Sequence, residues 1–127
     1  MKKLLLAAAL ALPGAAFAQD VSGIWQTGTS DEGAYLHVQI APCAGATDQI
    51  CGVITKTFNS DNDVSGKNII SNMKSDGGGN YSGGTIWAPD QDKRYGSKMT
   101  LSGNSLKVSG CVAGGIICRS QTWSRVQ

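Results

Sequence analysis

The stretch GCVAGGIICRSQTW, Gly110–Trp123, sets two cysteines on either side of a pair of adjacent glycines. Read as a β-hairpin turning at Gly114-Gly115, it places Ala113 opposite Ile116, Val112 opposite Ile117, and Cys111 opposite Cys118. Opposed residues of an antiparallel pair lie about 4.5–5.5 Å apart by Cα, within reach of a disulfide. Glycine tolerates the positive φ of tight hairpin turns. The glycines therefore make the turn and the cysteines clamp it. A clamped hairpin has a fixed register, and register decides which side chains share a face.

The preceding hairpin gives the faces their identity. RYGSKMTL, Arg94–Leu101, alternates Tyr95, Met99 and Leu101 on one side with Arg94, Lys98 and Thr100 on the other. A two-residue turn at Gly103-Asn104 sets Leu101 opposite Leu106 and Met99 opposite Val108. That apolar face is the core face, so Lys107, Ser109 and Cys111 point out. Cys118, Ser120 and Thr122 then point out as well. By alternation Arg119, Gln121, Trp123 and Arg125 point in. An unpaired buried arginine is costly, so these groups are either paired inside or line a wet or ligand-filled cavity. A bulge near the strand end would invert this parity.

Elsewhere, short β-branched and apolar runs are separated by turn residues, and glycine is abundant. Strands are expected at Val21–Thr27, Ala34–Ala41, Cys51–Phe58, Gly83–Ala88, Arg94–Leu101, Ser105–Val112 and Ile117–Val126. Lys67–Met73 reads as an eighth strand or as one helical turn. Asn59–Gly66 and Lys74–Asn80 read as loops. The expected fold is all-β: a small antiparallel barrel or strongly bent meander of about eight strands.

The first residues read as a leader. Lys2 and Lys3 precede a short apolar run, and Ala16–Ala18 fits a small-x-small cleavage site. Residues 1–18 are expected to be a cleaved signal peptide, with 19–127 a single exported domain, in the periplasm or else the medium. No later run is long enough to be a membrane-spanning helix. Without Lys2 and Lys3, nine cationic side chains balance nine Asp and Glu. That balance argues against nucleic acid and anionic membrane as partners. Export makes disulfides Cys43–Cys51 and Cys111–Cys118 the favoured use of the four cysteines. A metal site is the alternative, but neither spacing is C-x-x-C and there is one histidine. Each local loop closure is worth about 2.5 kcal/mol in the chain-entropy model.

Two motifs resemble known families. Gly23-Ile24-Trp25 on the first strand, with Arg125 on the last, resembles the lipocalin-like (calycin) barrels. The resemblance implies that Arg125 packs across Trp25 and closes the barrel. The longer run from Leu106, L-K-V-S-G-C-V-x-G-G-x-x-C-R-S-Q-T-W-x-R-V, is similar to the bacterial domain-of-unknown-function family numbered 2147. Cys43…Cys51-Gly52, Gly83-Gly84, Pro89 and Tyr95 belong to the same likeness, which implies a small exported β-barrel and no assigned reaction. Trp87 and the glycine-rich segment before Tyr81 depart from that pattern, at places where a pocket mouth is expected.

Nothing in the chain composes a catalytic group. His37 is the only histidine and Glu32 the only glutamate, and no serine or cysteine stands in a nucleophile setting. Asp61, Asp63 and Ser65 copy the first half of a calcium loop. Asn72 stands where the bidentate glutamate is needed, so a turn is the simpler reading. No cofactor is expected. The expected function is a non-catalytic binding module for a small amphipathic or anionic molecule. Trp25, Trp87, Tyr95 and Trp123 would supply apolar wall, and Arg119 and Gln121 the orienting contacts. The competing expectation is a structural or interaction protein of the envelope, its barrel filled by side chains. Oligomeric state is not legible.

Overall fold

A computed structural model describes residues 20–127; the expected leader at 1–18 lies outside the described residues. The eight strands are β1 (Gly23–Gln26), β2 (Tyr35–Cys43), β3 (Ala46–Phe58), β4 (Asn68–Gly77), β5 (Asn80–Ala88), β6 (Lys93–Ser102), β7 (Ser105–Val112) and β8 (Ile117–Arg125). Each pairs antiparallel with the next, and β8 returns to β1 to close a barrel. Closure rests on a short seam, Trp25 opposite Arg125 and Gln26 opposite Ser124.

The two C-terminal hairpins hold the expected register. Leu101 faces Leu106, Met99 faces Val108, Val108 faces Gln121, and Cys111 faces Cys118. Both expected disulfides form, with Cα separations of 4.9 Å for Cys43–Cys51 and 4.1 Å for Cys111–Cys118. The glycine turn itself differs from expectation. The last pair is Val112 with Ile117, and residues 113–116 make a four-residue loop. Ala113, Gly114 and Gly115 take φ of 55°, 70° and 92°. The loop grew by one residue on each flank, so the register below it is unchanged. Lys98 Nζ donates to Gly115 O, drawing the loop toward β6.

One open expectation is resolved and one needs correction. Asn68–Met73 is strand, the first of the two alternatives, and the expected loop Lys74–Asn80 is largely ladder, with Lys74 opposite Ser82 and Ser75 opposite Tyr81. The residues Lys74–Gly77 are all exposed, so no apolar alternation marks them as strand. The ambiguity at Lys67–Met73 has a local cause. Gly52 pairs Ile70 while Val53 pairs Asn68, leaving Ile69 as an extra residue. This bulge buries two consecutive isoleucines, Ile69 and Ile70, which strict alternation forbids.

One glycine decides how closely β4 and β5 approach. A Cβ at Gly84 would stand 2.2 Å from Ser71 O and 2.7 Å from Met73 Sδ. The first of these is backbone and cannot swing away. Gly84→Ala is therefore expected to destabilise the barrel by about 1–3 kcal/mol, the usual penalty of overpacking. Urea unfolding of the variant checks this; an unchanged midpoint would mean that the two strands can separate freely.

The core fills one end of the barrel. Val21, Val38, Ile40, Ile54, Ile70, Met73, Met99, Leu106 and Trp25 are all essentially inaccessible. Trp25 Nε1 donates to Val21 O at 2.9 Å. The Arg125 guanidinium lies 4.4 Å from the Trp25 ring centre and donates to Ser22 O and Asp20 O. This is the closure that the Gly23-Ile24-Trp25 and Arg125 pattern implied. Gly23 has φ 144°, and a Cβ there would meet Gln127 O at 2.5 Å and Arg125 Nη1 at 2.9 Å. Only glycine lets the C-terminus and the arginine seal that end.

Candidate functional site

The other end is open. Beyond Trp123 and Val108, which are themselves buried, the space widens between the loops into a cavity of about 1110 Å³. The walls are the ends of strands: Leu36 from β2, Ile69 from β4, Ile86 from β5, Tyr95 from β6 and Arg119 from β8. Val64, which is buried, reaches in from the β3–β4 loop. The barrel is thus half packed and half open, with Trp123 as the floor between the two.

Arg119, Gln121 and Trp123 lie on the inward-facing side of β8, in register with Gly110, Val108 and Leu106. Arg119 and Gln121 remain accessible because that side is the cavity wall. Gly110 carries no side chain where Arg119 faces β7. A Cβ there would come within 3.3 Å of Ile86 and 3.5 Å of Tyr95, so the glycine leaves room beside the guanidinium. Among the described residues lining the cavity, Arg119 is the one cation, while Asp31, Glu32 and Asp90 stand in its rim loops.

Gln121 has a definite local role. Its Oε1 accepts from Trp123 Nε1 at 2.7 Å and from Gly28 N at 3.1 Å. The amide thereby locks the floor tryptophan and ties β8 to the β1–β2 loop just past the point where the seam ladder ends. The amide NH₂ stays available to the cavity. Tyr95 points into the cavity and its hydroxyl donates to Gln91 Oε1.

One residue expected as wall stands elsewhere, and another lines the cavity only at its rim. Trp25 is fully buried at the sealed end and does not line the cavity. Trp87 pairs with Arg94, so it takes the opposite face from Ile86, which pairs with Tyr95. It stands on the rim, its Nε1 donating to Asp92 Oδ1 at 2.9 Å and Lys67 Nζ lying 5.8 Å from its ring centre. Extending the β6 register to β5 would have found Ile86 as the inward residue. Val64 and Ile69 had no such signal, since one sits in a loop and the other in a bulge.

The remaining sequence candidates are placed outside the cavity or at its edge. Asp63 accepts from Ser65 N at 3.0 Å. Hydrogen bonds from the Ser65 side chain and backbone, then from Thr57, hold its carboxyl below the usual range. That is turn geometry. Asp61 and Ser65 are exposed in the same loop. Among the described residues, no three of His, Cys, Asp and Glu converge to hold a metal. His37 lies on the outer surface against Phe58, 4.7 Å between ring centres, with Nε2 3.2 Å from Gln26 Oε1.

The comparisons with known proteins fit this geometry. A family described as "Uncharacterized protein conserved in bacteria (DUF2147)" matches residues 23–125. The chain belongs to the DUF2147 family. Among curated proteins, no sequence matches it. Among solved structures, it is similar to "Protein HP1028 from the human pathogen Helicobacter pylori belongs to the lipocalin family". The two share 15% identity over 85% of this chain and 84% of that one, with a TM-score of 0.72. At that identity the likeness is one of fold: this DUF2147 chain is a lipocalin-like eight-strand barrel. Its two disulfides suit an oxidising, exported environment. No described helix is long and apolar enough to cross a membrane. Its apolar residues point inward and Lys98, Thr100 and Lys107 point out, the reverse of a lipid-embedded barrel.

Proposed function

We propose that this DUF2147 protein is a non-catalytic periplasmic module that holds a small amphipathic, anionic molecule in the open half of its barrel. The observation that carries the reading is the half-filled interior. Eight-strand barrels have room for side chains or for one small ligand; here side chains occupy one end only. The space of about 1110 Å³ slightly exceeds the usual range for small-molecule sites, roughly 300–1,000 Å³, because it includes the open mouth between the loops. Leu36, Ile86 and Trp87, each partly exposed at the cavity wall, offer an apolar surface for a hydrocarbon or aromatic body. Arg119 offers a fixed positive charge for a carboxylate near the mouth. The expected leader at 1–18 and the disulfides support the periplasm as the compartment.

Titration with fatty acids and phenolic acids, read by tryptophan fluorescence, tests the proposal. A saturable change is expected, and Trp123→Phe together with Trp87→Phe should abolish most of it, because those two tryptophans line the cavity while Trp25 is sealed away from it. The packed end favours a second reading, a structural or envelope-interaction barrel without ligand. A correctly folded protein that responds to none of these compounds would select that reading.

A further inference from the structure

The seam that closes the barrel is incomplete, and its missing part faces the cavity. β1 ends at Gln26, which pairs Ser124, while β8 continues back to Ile117. Backbone polarity along β8 follows from its lower end. Arg125 N donates to Asn104 O on the β7 side, and Val126 N donates to Ile24 O on the β1 side. Successive residues of an antiparallel strand alternate in this respect. The N–H and C=O groups of Cys118, Ser120 and Thr122 therefore point toward the side where β1 has stopped. Among the described residues, no backbone group pairs with them there. Gly28, the nearest anchor of the β1–β2 loop, bonds the Gln121 side chain instead. All of Ile117–Thr122 is exposed.

Such an edge is a template for another strand. We propose that the β8 edge at Cys118–Thr122 docks an extended peptide, which adds as a strand and turns one acidic side chain inward to Arg119. The edge supplies hydrogen bonds without regard to sequence. The inward side supplies selectivity. Ile117 and Val112 form an apolar lip, 61% and 46% exposed, and Arg119 lies next along the strand. An acidic residue on the peptide's inward face meets that guanidinium. A second copy of the chain fits this edge poorly, because each copy would bring the Gly28 loop, seated against Gln121, into the other's path. The docking goes beyond the small-ligand reading and does not rest on it: the two share Arg119, but the peptide backbone lies along the seam and not on the Trp123 floor.

The test uses the folded protein and a fluorescein-labelled peptide, acetyl-Thr-Val-Glu-Val-Thr-amide, followed by anisotropy. Saturable binding is expected. Ser120→Pro removes one edge N–H and spares the backbone bonds to β7, a change that free edges tolerate; it also removes the hydroxyl bonded to Ser109 Oγ, so Ser120→Ala serves as the control that should bind normally. Ser120→Pro should weaken binding about tenfold, as should N-methylation of alternate peptide amides, which leaves the protein untouched. Replacing the peptide's glutamate with lysine should weaken it further. Absence of saturation, or equal binding by the N-methylated peptide, overturns the proposal. So does a concentration-dependent dimer of the unliganded protein that Ser120→Pro abolishes, since a second copy would then own the edge.

Discussion

Trp25→Ala is expected to cost about 3–5 kcal/mol, the usual loss for a fully buried large aromatic. That is a large fraction of the roughly 5–15 kcal/mol available to a domain of ordinary stability. Trp25 fills the sealed end at 0% exposure, bonds Val21 O, and supports the Arg125 guanidinium on its ring face. Removing the indole leaves a void under a cation whose remaining contacts are the carbonyls of Asp20 and Ser22. Urea unfolding measures the loss. Arg125→Ala should cost less, and the double variant less than the sum, because stacking contributes about 0.5–2 kcal/mol shared by the pair. A Trp25→Ala protein within about 1 kcal/mol of wild type would show that something else closes this end.

Arg119→Ala should leave stability within about 0.5 kcal/mol of wild type, as exposed positions away from the core do. Its guanidinium stands in an open cavity and takes no part in the packed end. Affinity for a carboxylate ligand should fall about tenfold to a hundredfold, the loss of one charge-assisted contact worth about 1.5–3 kcal/mol. Fluorescence titration beside urea unfolding separates the two effects. A variant that unfolds easily and binds normally would make Arg119 a brace of the barrel wall and not a ligand contact.

Much of this architecture was legible in the chain. Wherever two strands join by a short turn, one pairing implies the rest, so the glycine and cysteine positions sufficed to orient β6, β7 and β8. Parity then places Arg119, Gln121 and Trp123 on the inward side of β8. Alternation is no guide where it is itself broken. Ile69 and Ile70 are buried side by side at a bulge, and Lys74–Gly77 form ladder with every side chain in water. Trp87 is a mixed case: the β5–β6 register sets it opposite Arg94, on the other face from Ile86, while its ring lines the cavity at the rim.

What the sequence determined by itself is local: which residues turn, which cysteines meet, and which side chains share a face, because each depends on neighbours a few positions apart. Only the tertiary structure decided that β1 stops short of β8, that Trp25 plugs one end while Trp123 floors an open half, and that Val64 and Ile69 join the wall. These depend on how eight strands of unequal length meet around a closed ring. The volume left inside, and the stretch of edge left unpaired, are properties of that closure and of no single segment.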